Sequence, residues 1–273
     1  MRLPVLFCLS IIAASSLIAA ESPFTAQRVP ESIAVPETAN RDYRLLIPPS
    51  KSSEKMPLVI YLHGAGAKGD DNVKQLGEPL PKLLATPAMR ESFPCFILVP
   101  QCRAGDDAQG RPNNWVKWEN QIGTKPEQWL KAEGEPSDQL RGAIAALEHV
   151  LATQPIDSAR IYLTGVSMGG SGSWNWAARE PQRFAAMITA CGLSEPEKAP
   201  AFAKLPLWAF HGSDDPIAPV ERSWRMVAAL RALHAPVQFT EYTGAGHGIA
   251  ERVFSENDHA VLRWLFAQRK PAL

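Results

Sequence analysis

The stretch Gly165-Val166-Ser167-Met168-Gly169 follows an apolar run, Ile161-Tyr162-Leu163-Thr164, that reads as a buried strand, and precedes Ser171 to Arg179, which reads as a helix. A strand that turns into a helix over so few residues presses the backbone together on either side of the serine. Only glycine fits two residues before it and two residues after it. The serine is left in a strained conformation with its hydroxyl exposed at the strand's end. Chance alone puts glycine at both positions around a serine about 0.5% of the time, given its usual share of composition. The pentapeptide therefore counts only with its context, because a glycine-rich turn with a capping serine would look the same.

That context lies downstream. A serine hydroxyl is a poor nucleophile at neutral pH; it needs a base, and the base needs a carboxylate to orient it. After a strand–elbow–helix these partners come in the order Ser, Asp or Glu, His, each just beyond a strand. Leu207-Trp208-Ala209-Phe210 is a strand-type run that ends in His211-Gly212-Ser213-Asp214-Asp215-Pro216. Val237 to Tyr242 alternates like a half-buried strand. It runs into Gly244-Ala245-Gly246-His247-Gly248, where glycines place a histidine on a flexible, exposed loop. Ser167, then Asp214 or Asp215, then His247 satisfy the order. Acyl transfer also requires N–H donors for the charge that builds on a carbonyl oxygen. Met168, next after the serine, offers one. The loop after the strand Leu58 to Leu62, His63-Gly64-Ala65-Gly66, offers the other, with Ala65 the first candidate and Gly66 the second. His63 and His211 each end a strand before a glycine and read as braces for their loops, not as bases.

Leu62-His63-Gly64-Ala65-Gly66 with Gly69-Asp70-Asp71-Asn72, Val99-Pro100-Gln101-Cys102, Ile156 to Gly165, Ser167-Met168-Gly169-Gly170, His211-Gly212-x-x-Asp215 and Gly246-His247 extend from about residue 42 to the C-terminus. Together they resemble the α/β-hydrolase superfamily. More closely, the chain is similar to the secreted esterases grouped around dienelactone hydrolases, phospholipase/carboxylesterase-type enzymes, and poly(3-hydroxybutyrate) depolymerase or feruloyl esterase-like enzymes. The resemblance implies an α/β fold with a mostly parallel central sheet covered by helices on both faces. It implies a serine-dependent carboxylic ester hydrolase that forms an acyl-enzyme, with Ser167, Asp215 and His247 as the catalytic triad and no metal or organic cofactor. Counting along His-Gly-x-x-Asp from His211 selects Asp215 and leaves Asp214 as a turn residue. Two rivals stand beside it. A serine peptidase similar to the catalytic domain of prolyl oligopeptidases would bring a propeller-sized partner domain, which these 273 residues do not hold. A catalytically silent binding module of the same fold would have no need of the intact triad order.

Composition sets the outer bounds. A chain of 273 residues with 45% hydrophobic content fits one α/β domain with a large core. Lys+Arg and Asp+Glu are both 28, so there is no basic field for nucleic acid and no acidic one for cations. Residues 1–20 differ from the rest. Arg2 precedes an apolar or small run, Leu3 to Ala20, and Ala19-Ala20 offers a cleavage site before Glu21. This reads as a signal peptide, with residues 21–273 as a single catalytic domain that is secreted or periplasmic and keeps no membrane span after cleavage. An uncleaved anchor is the rival reading. Beyond the leader stand Cys95, Cys102 and Cys191. An exported protein can hold disulfides, and a Cys102–Cys191 bridge is geometrically allowed because both follow strands at the same end of the sheet. No metal-ligand spacing is visible, and composition is silent on oligomeric state.

Further elements fall into place around these. Strands are expected at Tyr43 to Ile47, Phe96 to Val99 and Ala185 to Ala190, with room for one edge strand before Asn40. Helices are expected at Gln139 to Leu151, capped by Ser137, at Val220 to Leu233, and at Glu256 to Gln268. Pro79, Pro81 and Pro87 keep any helix near them short. Arg103 to Pro136 breaks the rhythm, with Trp115, Trp118 and Trp129 and no clean period. It follows a strand's C-terminal end, so it stands beside the expected site. Trp115 and Trp118 are therefore candidates for walling a substrate pocket, against the plainer reading that they seal the insertion onto the domain.

Overall fold

The computed structural model describes residues 22–49, 54–119, 131–132 and 134–271. The expected leader and Trp129 lie outside them. Eight strands form one sheet: β1 (Phe24–Arg28), β2 (Asp42–Leu46), β3 (Met56–Leu62), β4 (Phe96–Pro100), β5 (Ile156–Val166), β6 (Ala186–Ala190), β7 (Leu207–Gly212) and β8 (Val237–Tyr242). Their spatial order is β1-β2-β4-β3-β5-β6-β7-β8. The β1–β2 and β2–β4 pairs are antiparallel and every other pair is parallel. This is the mostly parallel α/β-hydrolase sheet that the sequence implied.

The core follows from the two-residue period of a strand. In β3, Leu58, Ile60 and Leu62 enter one apolar cluster, while Val59 and Tyr61 enter the other. The first cluster is closed by α3 (Asp138–Thr153), α4 (Met168–Arg179) and α5 (Glu221–Ala232). The second is closed by α1 (Pro79–Leu84), α2 (Pro87–Ser92) and α6 (Ala250–Ala267). With both faces covered, the central strands are apolar throughout. Pro79 and Pro87 open α1 and α2 from the first turn, where a missing N–H costs nothing. The Ser137 hydroxyl accepts the Leu140 N–H at 3.1 Å and starts α3.

Three expectations shift. The C-terminal helix begins at Ala250, ahead of Glu256, and leaves helical dihedrals between Glu256 and His259. β5 begins at Ile156, because its polar first half, Asp157 to Arg160, hides the strand from a hydrophobic reading. Cys102 and Cys191 do not bridge: all three described cysteines are free and buried. Cys102 belongs to one core cluster and Cys191 to the other, so the sheet itself separates them. Among the described residues no helix is long and apolar enough to cross a membrane.

Candidate active site

β3, β5, β7 and β8 run parallel, so their C-terminal ends share one edge of the sheet. β5 ends at Val166, and Ser167 takes φ 57° and ψ −120° before α4 starts at Met168. The two flanking glycines are required here. A Cβ on Gly165 would strike the Gly169 carbonyl, and one on Gly169 would strike the Leu62 carbonyl.

The structure brings three of the sequence-derived candidates together. His247 Nε2 lies 2.7 Å from Ser167 Oγ, and His247 Nδ1 lies 2.7 Å from Asp215 Oδ2. A carboxylate on Nδ1 fixes the proton there and leaves Nε2 to accept the serine O–H. The other Asp215 oxygen accepts the N–H groups of Ile217 and Ala218, each at 2.9 Å. Burial alone would raise this carboxyl's pKa. The Ala218 N–H, the His247 ring and the Ile217 N–H outweigh it, so Asp215 stays ionised below the usual carboxylate range. Asp214 is not part of this chain of bonds; its carboxylate accepts from Ser213 Oγ.

The histidine loop is less free than its glycines imply. The Asp214 N–H donates to the Ala245 carbonyl at 2.9 Å, and the Gly244 N–H donates to Ser213 Oγ at 2.7 Å. His247 is thereby pinned to the β7 loop that carries Asp215. Its side chain keeps one fifth of its surface open to solvent, while the Asp215 carboxylate is fully enclosed.

Met168 and Ala65 each open a helical segment, α4 and the 3-10 turn Ala65–Ala67, where N–H groups have no partner within the helix. The Ala65 loop lies against the serine, since a Cβ on Gly64 would stand 3.7 Å from Ser167 Cβ. α4 also points its positive end at Ser167, which favours negative charge there. His63 braces this loop: its Nδ1–H donates to the Gly64 carbonyl at 2.6 Å and its Nε2 accepts the Cys102 N–H at 2.9 Å. Burial holds its pKa down to about 4, against the pull of the Gly64 carbonyl. Sequence reasoning missed Glu78, whose carboxylate takes the Tyr61 hydroxyl at 2.9 Å and lies beside Gly64. Gln101, which the family motif includes without a role, ties the same loop through the Ala67 carbonyl.

Trp115 and Trp118, the insertion tryptophans among the described residues, part company. Trp115 is fully buried, donates its indole N–H to the His63 carbonyl at 3.0 Å and packs on the His63 ring. It has no exposed face for a substrate, which corrects its place among the pocket candidates. Trp118 is half-buried and packs on Leu193 and on Ala218, whose N–H Asp215 accepts. It pairs across the insertion with Ala132, whose N–H donates to Glu195.

Among the described residues one group has metal-ligand character: atoms of Cys191, His211 and Asp215 lie within 4.8 Å of one another. They do not suit a metal ion, because their lone pairs are engaged. His211 bridges Ser223 Oγ and the Ala218 carbonyl, both at 2.8 Å, with Asp215 Oδ2 at 3.2 Å. Burial pushes the Cys191 thiol up to about 12, far from the thiolate a metal needs.

Residues 116–265 match the sequence profile of the Dienelactone hydrolase family. A Salmonella typhimurium protein described as a "Putative carboxymethylenebutenolidase" is 26% identical over 212 residues, covering 67% of this chain and 78% of that one. A solved structure described as a thermostable esterase superposes with a TM-score of 0.74 at 30% identity; the match covers 91% of this chain and 64% of the esterase. An acylaminoacyl peptidase superposes at 0.56 with 18% identity over 88% of this chain and 40% of the peptidase, a likeness of fold.

Proposed function

The chain belongs to the dienelactone hydrolase family of α/β-hydrolase enzymes, and on that premise we propose that it is a serine-dependent carboxylic ester hydrolase working through an acyl-enzyme. The observation that carries this reading is the continuous path from Ser167 Oγ through the His247 ring to the Asp215 carboxylate, 2.7 Å at each step. Ser167 attacks the ester carbonyl as His247 Nε2 takes its proton. Asp215 keeps the ring in that tautomer and stabilises the imidazolium. The N–H groups of Met168 and Ala65 bind the oxyanion. His247 then protonates the departing alkoxide, and later activates the water that releases the acid and restores Ser167.

The test is hydrolysis of 4-nitrophenyl acetate and butyrate by the wild type and by Ser167→Ala. The wild type turns both over and S167A does neither; equal rates in the two proteins would overturn the assignment. A fluorophosphonate probe that labels Ser167 also separates this reading from a silent binding module. The Salmonella typhimurium relative, described as a carboxymethylenebutenolidase, extends the substrate panel to a cyclic enol ester, a carboxymethylenebutenolide. We also propose that residues 21–273 act as one exported catalytic domain after removal of residues 1–20. The apolar run Leu3 to Ala20 supports this reading. Mass determination of the exported protein tests it.

A further inference from the structure

Along β7, Leu207, Ala209 and His211 alternate onto one face of the sheet, the face that α5 helps to close. Leu207 and Ala209 join its apolar cluster, and His211 stands where that row reaches the C-terminal edge. The ring is fully buried and meets α5, with Nδ1 2.8 Å from Ser223 Oγ. Its Nε2 lies 2.8 Å from the Ala218 carbonyl and 3.2 Å from Asp215 Oδ2. A carbonyl and an ionised carboxylate can only accept. Nε2 therefore carries the ring's proton, and Nδ1 accepts the Ser223 hydroxyl. Burial favours the neutral ring and lowers its pKa, against the pull of the Ala218 carbonyl and of Asp215.

A closed circuit of contacts results. Ala218 gives its N–H to Asp215 Oδ1 at 2.9 Å and offers its carbonyl to His211 Nε2. The same Nε2–H lies against Asp215 Oδ2, the oxygen that His247 Nδ1 reaches at 2.7 Å. Two histidines thus meet on one carboxylate oxygen, and the side chains of His211 and Asp215 are both closed to solvent. Among the described residues, Cys191 at the end of β6 is the third titratable group against this carboxylate. Burial pushes its thiol up to about 12, so it stays protonated. On α5, Arg222 turns its guanidinium to the Ser194 carbonyl. Asp214 accepts from Ser213 Oγ.

We infer that His211 is a positioning residue of the triad, which fixes the Asp215 carboxylate through its Nε2–H and draws on the charge of the oxygen that orients His247, an inference that rests on the esterase reading of Ser167. The effect on the base is electrostatic. Negative charge at Oδ2 favours the imidazolium form of His247, and the N–H dipole of His211 offsets part of that charge. The site is closed to water, so nothing else screens the oxygen in its place. His247 then remains a free base further into acid than it would beside Asp215 alone. A residue that only braced the β7 loop would set the height of the activity through geometry and leave its pH dependence in place.

The experiment records kcat/KM for 4-nitrophenyl butyrate against pH in the wild type, His211→Leu and His211→Gln. Leucine fills the space and offers no donor, whereas the glutamine amide places an N–H near the position of Nε2. The acid limb of the profile reports the base of the free enzyme. H211L should move the midpoint of that limb up by about half a pH unit, which is about a threefold further loss at the acid end relative to its own plateau. H211Q should keep the wild-type midpoint, whatever the height of its plateau. An unmoved limb in H211L would overturn the inference, and so would an H211Q limb displaced as far as that of H211L. Nitrogen-15 NMR of the wild type needs no variant. The His211 ring should hold the neutral tautomer with its proton on Nε2 from about pH 5 to about pH 8; a proton on Nδ1 instead would also overturn it. A wild type that hydrolyses no ester would sink the esterase reading alone. The His247 ring titration, followed by the same spectra in wild type and H211L, would then decide the effect of His211 on the base by the same expected shift.

Discussion

Gly169 on α4 rests directly against Leu62 at the end of β3, so closely that a Cβ on Gly169 would occupy the place of the Leu62 carbonyl oxygen. This contact seats the start of α4 between β5, which leads into Ser167, and β3, which leads into the Ala65 loop. Relief would require moving backbone, because no flexible side chain is involved. Gly169→Ala is therefore expected to lower stability by about 3 kcal/mol or more, toward the upper range for overpacking. Urea denaturation measures this directly. A G169A protein of wild-type stability would mean that α4 does not sit on β3 as described.

Asp215→Asn separates geometry from charge. The amide oxygen can still accept the Ile217 and Ala218 N–H groups, so the loop should keep its shape. Its NH2 would then face His247 Nδ1 and stabilise the tautomer with the proton on Nε2. That tautomer cannot take the proton of Ser167. A fall in kcat of about 10⁴ is expected, with KM nearly unchanged. Asp214→Asn, outside this path, should stay near wild type. If D215N lost less than tenfold, the carboxylate would not be orienting the base.

The strands and the triad order were legible because this architecture writes them plainly. A strand buried on both faces is an apolar run, and the loops that follow such runs gather at one sheet edge. Ser167, His247 and one of Asp214 and Asp215 could thus be placed near one another by order alone, and the family resemblance chose Asp215. What stayed hidden depends on which strands are neighbours. The bond between His63 and Cys102 exists because β4 lies beside β3, and no local pattern states that order. Glu78 escaped because its partner, Tyr61, reads as an ordinary core residue of β3. The exposed alternation of β1 and the polar opening of β5 gave no hydrophobic signal. Trp115 and Trp118 are three residues apart with similar local composition, and only the packing tells the fully buried ring from the half-buried one.

That division predicts opposite phenotypes. Trp115→Phe removes the N–H that satisfies the buried His63 carbonyl. A loss of about 1–3 kcal/mol in stability is expected, with unchanged preference among acyl groups. Trp118→Ala opens the wall beside Leu193 and Ala218. It should raise KM several-fold for long acyl esters with little change in stability. Thermal melts and a chain-length series on both variants decide; an exchange of the two phenotypes would contradict the packing.

The cysteines should behave as core residues. Cys95, Cys102 and Cys191 are at most 2% exposed, and burial raises each thiol's pKa, to about 12 for Cys102 and Cys191. Native protein should leave all three unmodified by iodoacetamide at pH 8, and urea should release all three. Mass spectrometry without reductant should find no Cys102–Cys191 peptide. Recovery of that bridged peptide from native protein would require the two core layers to be arranged differently.

His63 gives the fold a definite response to acid. Its Nε2 accepts the Cys102 N–H, so a proton there would set two donors against each other in a site closed to water. Burial, helped by the charge of Lys68 and opposed by the Gly64 carbonyl, lowers its pKa from 6.5 to about 4. Between those values the unfolded chain holds a proton that the native state does not. Stability must then fall as pH falls through that window. The contribution is fully present above pH 6.5 and is lost by about pH 4, a change of about 3 kcal/mol. His211, also lowered mainly by burial, acts in the same direction. His63→Asn removes one of the two titrations and leaves the other. Urea midpoints measured from pH 7.5 to 4 should therefore fall less steeply for H63N than for wild type, even if the variant is weaker at neutral pH. Parallel profiles would show that the His63 imidazole does not stay neutral in the folded protein.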